Sequence, residues 1–132
     1  MLESVRGLAE ALAQEDASVS DLVTRLDGRV AEYPTNVIVD ETGLDEVARG
    51  NVVRNRVGDE LPAHVVLELR EPLELEPLAA LLGEPATVHP DHDDAPVQLV
   101  YPQPLVDAPH PVTLVAKSAA GAPARSIVLR RD

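Results

Sequence analysis

The densest group of side chains that could do chemistry is the segment His89-Pro90-Asp91-His92-Asp93-Asp94. Imidazoles and carboxylates at this density can hold Zn²⁺ or another divalent cation, with His89 and His92 as candidate ligands. The two histidines stand three residues apart across a proline, however, so no helix brings them to one face. A solvated turn, in which the aspartates form the turn and cap it locally, is the favoured interpretation. We therefore predict no metal and no cofactor, and keep a His89–His92 metal site as the alternative.

Nucleophilic catalysis finds little support in the residue types. The chain has no cysteine, which excludes a thiol nucleophile, a thiolate zinc site and a disulfide scaffold. No serine lies in a Gly-x-Ser-x-Gly elbow, and the seven glycines are scattered rather than gathered in a phosphate-binding loop. The prediction is that the chain is not an enzyme. A small metal-dependent enzyme or sensor built on the His89–Asp94 segment is the alternative.

Charge and aromatic content narrow the choice of partner. The chain has 132 residues, 23 acidic and 11 basic, and a formal net charge of −12. Non-specific nucleic-acid binding needs clustered Lys and Arg, and base stacking needs aromatic rings, of which only Tyr33 and Tyr101 are present. We therefore expect no nucleic-acid partner. A negative field of this size speeds encounter with a basic protein.

Three helices are predicted from apolar spacing and end signals. The first spans residues 2–15, where leucine, valine and alanine recur at steps of three and four. The second begins at Ser18, which forms a Ser-x-x-Asp capping pattern with Asp21, and ends before Gly28. The third spans residues 73–83, with Pro77 in its first turn and Gly83 at its end.

Strands are predicted at residues 36–39, 63–70, 97–101, 112–117 and 125–130. In residues 63–70, alternation turns Val65, Leu67 and Leu69 to one face and Val66 to the other. Residues 40–62 carry no clear pattern beyond one candidate helical turn at residues 44–49. Runs of strands favour an α+β class. We predict one domain, residues 1–132, with two N-terminal helices and a central helix packed on an antiparallel sheet of about five strands.

The order of the elements suggests an internal pseudo-repeat and a family resemblance. Residues 18–71 and 73–132 each read as helix followed by strands, which is a candidate pseudo-repeat. Within residues 73–132, the Leu82-Gly83-Glu84-Pro85 turn, the strand ending at Tyr101 and the closing hairpin resemble the small BamE-like domains. That superfamily includes the β-lactamase inhibitor proteins. The resemblance implies a sheet packed against helices and used for binding proteins. Val100 stands where these domains commonly have a tryptophan, the lipid-anchor cysteine is missing, and no functional residues are carried over.

These observations favour a non-catalytic binding module of immunity, inhibitor or adaptor type. It would attract a protein partner, basic in the leading version, and dock it on a sheet face or on the loop at residues 89–95. The candidate binding residues are Asp91, His92, Asp93, Asp94 and Tyr101. No apolar run approaches the roughly 20 residues of a membrane span, so a cytoplasmic location without membrane contact is expected. A structural homo-oligomer, most simply a homodimer, is the remaining alternative.

Overall fold

A computed structural model describes residues 3–89, 96–107, 109–119 and 122–132. These form three helices and eight strands, and the predicted α+β class is confirmed. The helices are α1 (Glu3–Leu12), α2 (Val19–Leu26) and α3 (Leu75–Leu82). The strands are β1 (Arg29–Glu32), β2 (Asn36–Asp40), β3 (Val47–Arg54), β4 (Pro62–Leu73), β5 (Ala86–Val88), β6 (Val97–Val100), β7 (Val112–Ser118) and β8 (Ala124–Arg131).

The helix boundaries follow from capping. The hydroxyl of Ser18 accepts a hydrogen bond from the backbone N–H of Asp21 at 3.0 Å, so the predicted start of α2 is confirmed. At the other end, Asp27 rather than Gly28 adopts the left-handed conformation, with φ of 49°. Aspartate is among the few residues that tolerate this conformation, because its short polar side chain bonds locally. Helix α3 ends at Gly83, whose φ is 86°.

All eight strands belong to one antiparallel sheet in the order β1-β2-β3-β4-β8-β7-β6-β5. The sheet consists of two four-stranded meanders, β1–β4 and β5–β8, whose fourth strands pair with each other. The first meander follows α1 and α2 in the chain, and the second follows α3. The pseudo-repeat of residues 18–71 and 73–132, and the single domain of residues 1–132, stay predictions.

The predicted count of about five strands is wrong, because β1, β3 and β5 carry no alternating apolar pattern. Strands β1 and β5 are short, exposed edges of four and three residues. Strand β3 contains Arg49, Gly50 and Asn51, which interrupt its valines. The candidate helical turn at residues 44–49 is also wrong, since β3 begins at Val47.

Gly50 is required where it stands, because a Cβ there would lie 2.7 Å from Cδ1 of Leu26 in α2.

The helices cover one face of the sheet. Leu8 and Leu12 of α1 and Leu22 and Leu26 of α2 are at most 2% exposed. They pack in one cluster with the inward residues of the central strands, among them Val39, Val52, Val65, Leu67, Leu114, Ile127 and Leu129. Leu78 and Leu82 of α3 belong to the same cluster. Helices on one face leave the alternate side chains of every strand on the other face, which no described element covers.

Candidate docking surface

Four of the predicted binding residues, Asp91, His92, Asp93 and Asp94, lie outside the described residues. His89 is described and is exposed just after β5. Within residues 3–89, 96–107, 109–119 and 122–132, no group of three or more His, Asp or Glu side chains could hold a metal ion. The binding role of the four residues and the His89–His92 metal site both stay predictions.

Tyr101 lies directly after β6 and is 1% exposed. Its backbone N–H donates to the carbonyl oxygen of Leu114 in β7 at 3.3 Å, and its side chain belongs to the core cluster. The hydroxyl is buried and has no hydrogen-bond partner among the described residues. Burial, with a smaller contribution from the charge of Glu84, raises the pKa of Tyr101 above its ordinary value. The ring fills the core in this conformation, and its predicted binding role stays untested.

The face of the sheet opposite the helices carries a row of mainly apolar residues, which Asn51 interrupts at β3. Strand register aligns one residue from each strand: Ala31, Ile38, Asn51, Val66, Val128, Val115, Val100 and Ala86. Only Asn51 among them is polar. We call these eight residues the central row. Directly opposed side chains on neighbouring strands lie within contact distance, so the row forms one apolar band over β4, β8, β7, β6 and β5, which Asn51 separates from Ala31 and Ile38.

Polar residues flank the central row on both sides. The row on one side contains Arg29, Asp40, Arg49, Glu68, Ser126, Lys117, Gln98 and Val88. The row on the other side contains Asn36, Val53, His64, Arg130 and Thr113. We call the three rows together the open face. An apolar centre inside a polar margin is the usual composition of a protein interface.

The open face carries more positive than negative side chains, whereas the chain as a whole is strongly acidic. Four side chains are cationic: Arg29, Arg49, Lys117 and Arg130. Asp40 and Glu68 are anionic, and Asp132 adds a carboxylate just beyond β8. The open face is therefore slightly cationic within a chain whose net charge is −12.

The two halves of the open face differ in how these charges are paired. Arg49 lies 3.1 Å from a carboxylate oxygen of Asp40 and 4.0 Å from one of Glu68, so the β2–β4 half is internally neutralised. On the β7–β8 half, Arg130 has one longer pair with Asp132 at 3.8 Å. Lys117 forms no ion pair with any described residue, and it is the only lysine of the chain.

Two positive charges, those of Lys117 and Arg130, act on the His64 imidazole. Burial lowers the pKa of this imidazole below its ordinary value, and the charges of Lys117 and Arg130 lower it further. His64 pairs with Arg130 across β4 and β8, so it lies on the open face beside the central row. None of the carboxylates in the described part of the chain offsets these effects on the pKa of His64. The imidazole is consequently neutral at pH 7, and the cationic balance of the face comes from arginine and lysine.

A second polar cluster ties the end of the sheet to α2. The Arg54 side chain is 5% exposed; it donates to the carbonyl oxygen of Asp59 at 2.7 Å and to Glu32 Oε1 at 2.9 Å. Glu60 lies 3.7 Å from the same guanidinium and accepts from the Ser20 hydroxyl at 2.8 Å. Hydrogen bonds from Ser20, and then the charge of Arg54, hold the pKa of Glu60 below its ordinary value. The cluster joins three elements around the Arg54 guanidinium, which marks it as a structural tie; the Nε of Arg54 is buried without a hydrogen-bond partner among the described residues.

The central row could be found only in part from the sequence. Alternation in residues 63–70 placed Val66 on the face opposite Val65 and Leu67, and the burial of β4 agrees with this. The row itself depends on register between distant strands, such as Val66 with Val128. No local pattern contains that register. Arg49 and Asn51 could not be assigned to the face while β3 was unrecognised.

Comparisons with protein-family models, with curated proteins and with solved structures give no match. The resemblance of residues 73–132 to BamE-like and β-lactamase inhibitor protein-like domains stays a prediction. In the part of the chain that the structure describes, no helix is long and apolar enough to cross a membrane.

Proposed function

We propose that the chain is a non-catalytic protein-binding module whose docking surface is the open face. The observation that carries the proposal is the central row, which places an apolar residue on seven of the eight strands of a face that no described element covers. Its larger side chains are half-buried among their neighbours, and Val115 is 4% exposed. An apolar strip with a polar margin, on a face that no described element covers, is typical of an interaction site. The proposed occupant is a partner protein that carries carboxylates, because Lys117 and Arg130 flank the apolar residues of β7 and β8.

The distribution of shifted titratable groups supports binding over catalysis. Catalytic acids and bases act together, so their perturbed pKa values cluster at one site. Among the described residues, the groups with a shifted pKa are His64 on the open face, Tyr101 in the core, and Glu60 in the turn after β3. Each has a separate structural cause, and they do not converge on a common cavity.

The electrostatic route in this proposal differs from simple attraction of a basic partner. Docking a strongly basic protein would bring its charges against Lys117 and Arg130, since these flank the apolar residues of β7 and β8. Like charges placed opposite each other at an interface oppose binding. A basic partner remains the prediction for the loop at residues 89–95, of which residues 90–95 lie outside the described part of the chain.

Substitution of the central row tests the proposal. Val66→Thr with Val128→Thr keeps β-branched side chains and removes two apolar contacts. Val57→Thr is the matched control, because Val57 is 74% exposed in the turn between β3 and β4, away from the open face. Each protein is immobilised and exposed to an extract of the cells that make it, after thermal unfolding has shown that it folds.

We expect one protein to be retained equally by the unsubstituted chain and by Val57→Thr, and about tenfold less by the double variant. Each lost buried methyl-sized contact is worth about 0.8 kcal/mol, and two such losses give a change of this size. Equal retention by all three chains would overturn the proposed surface, and so would the absence of any retained protein.

A further inference from the structure

We infer that the partner docks an acidic, extended segment on the β7–β8 half of the open face, where its carboxylates pair with Lys117 and Arg130 on either side of Val115 and Val128. The inference rests on the proposed function, since it names the chemistry of the partner for the same surface.

The placement of the two cations defines a pattern of contacts. Val115 pairs with Val128 at the centre, Lys117 pairs with Ser126 on one side, and Arg130 pairs with Thr113 on the other. The cations therefore lie diagonally across the valine pair, four residues apart along the strand direction. Four residues of strand span about 14 Å.

An extended segment of the partner reproduces this spacing. Side chains at positions i, i+2 and i+4 of an extended chain point to the same side. A segment with the order acidic-x-apolar-x-acidic would place its apolar side chain on the half-buried Val128, beside Val115, which is 4% exposed, and bring its two carboxylates to Lys117 and Arg130. Lys117 is open to such a contact, since it has no ion pair within the described residues, and Asp132 is the single carboxylate beside Arg130.

The same charges argue against a second copy of this chain stacked face to face. A two-fold axis that runs across the strands would stack the β7–β8 half on the same half of the second copy, with Lys117 of one copy facing Arg130 of the other. Pairing of like charges across an interface costs binding energy. An acidic segment instead gains at both positions.

The net charge of −12 repels an acidic partner at long range and attracts it at none. Repulsion between two acidic proteins is screened beyond about 8 Å at physiological ionic strength, whereas contact pairs beside an apolar patch are screened less. The association rate should therefore rise between low and physiological salt, opposite to the fall expected for a steered basic partner.

Three peptides that differ only in charge provide the test. Each has the order charged-Thr-Val-Thr-charged inside a common Gly-Ser flank, with Glu, Gln or Lys at both charged positions. Binding is followed by amide chemical shifts of the labelled full chain. We expect the Glu peptide to bind about fivefold or more tightly than the Gln peptide, because two exposed pairs each contribute modestly. The shift changes should lie in β7 and β8.

Variants separate this inference from the proposed function. In Lys117→Gln with Arg130→Gln, the preference for Glu over Gln should disappear, whereas Arg6→Gln should retain it. Arg6 is the matched control, because it is an exposed cation on α1. Tighter binding of the Lys peptide, or no binding by any peptide, would overturn the inference. A partner that is lost with Val66→Thr and Val128→Thr, yet kept by the Lys117 and Arg130 variant, would overturn the inference alone.

Discussion

Leu26 of α2 lies directly on the backbone of Gly50 in β3: a Cβ atom added to Gly50 would be 2.7 Å from Leu26 Cδ1 and 2.9 Å from Leu26 Cδ2. Leu26 is fully buried, so it has no free space into which to move. The absence of a side chain at Gly50 therefore sets how closely α2 approaches the sheet.

Gly50→Ala should destabilise the fold. Forcing a methyl group into a packed contact costs about 1–3 kcal/mol, through shifts of side chains and backbone. Chemical denaturation measures the free energy of unfolding. Gly7→Ala is the control, because Gly7 lies in α1 with no atom within 4 Å of the added Cβ. That change should stabilise the chain by about 0.5–1 kcal/mol. Equal effects of the two substitutions would refute the close contact.

Arg54→Ala should cost about 2–3 kcal/mol of unfolding free energy. It removes a buried side-chain stem and the hydrogen bonds to Asp59 and Glu32, and bonds to charged groups are the stronger kind. Arg25→Ala, which removes an exposed pair with Asp21, should cost less than about 1 kcal/mol. Similar losses from both arginines, measured by urea unfolding, would contradict the structural role of Arg54.

Tyr101→Phe should leave the free energy of unfolding unchanged or raise it by up to about 1 kcal/mol. The substitution removes a hydroxyl that is buried without a partner among the described residues, and with it a desolvation cost. Tyr101→Ala should instead cost about 3–5 kcal/mol, by analogy with other large aromatic truncations. A clear loss of stability in the Phe variant would mean that the hydroxyl makes a stabilising hydrogen bond.

His64 should make stability depend on pH. Its pKa is lower in the folded chain than its ordinary value of 6.5, so the unfolded chain binds the proton more readily. Stability is then fully present above pH 6.5 and falls as the pH drops toward the folded pKa. The charged groups that act on the ring are Lys117 and Arg130. His64→Gln should flatten this part of the profile, which thermal unfolding between pH 7.5 and 5 measures. A profile identical to that of the unsubstituted chain would exclude His64 as its source.

Local chemistry made much of this fold predictable. Some features depend only on residues that are close together in the sequence, and the structure confirms them. They are the Ser18 cap, the end of α3 at Gly83 and the alternation of β4. Strand β3 escaped prediction because Gly50 serves α2 rather than the strand pattern. A local pattern cannot report a requirement that comes from a packed helix.

The candidate site was harder to predict for two physical reasons. The central row exists only through long-range register, such as Val66 with Val128. Tyr101 appeared suited to an interface because aromatic residues are common anchors there. In a chain without Phe or Trp, however, it is also one of the two largest rings available to fill the core, and it is buried there.

The pairing of β4 with β8 affects how the chain can fold. Strand β8 follows all other strands in the chain and yet lies in the middle of the sheet, between β4 and β7. The β1–β4 meander therefore emerges first during synthesis and presents β4 as an unpaired edge until β8 arrives. Unpaired edges and late non-local pairing slow folding and expose a chain to aggregation. Assembly of this sheet depends on its two halves remaining apart from other chains until their fourth strands meet.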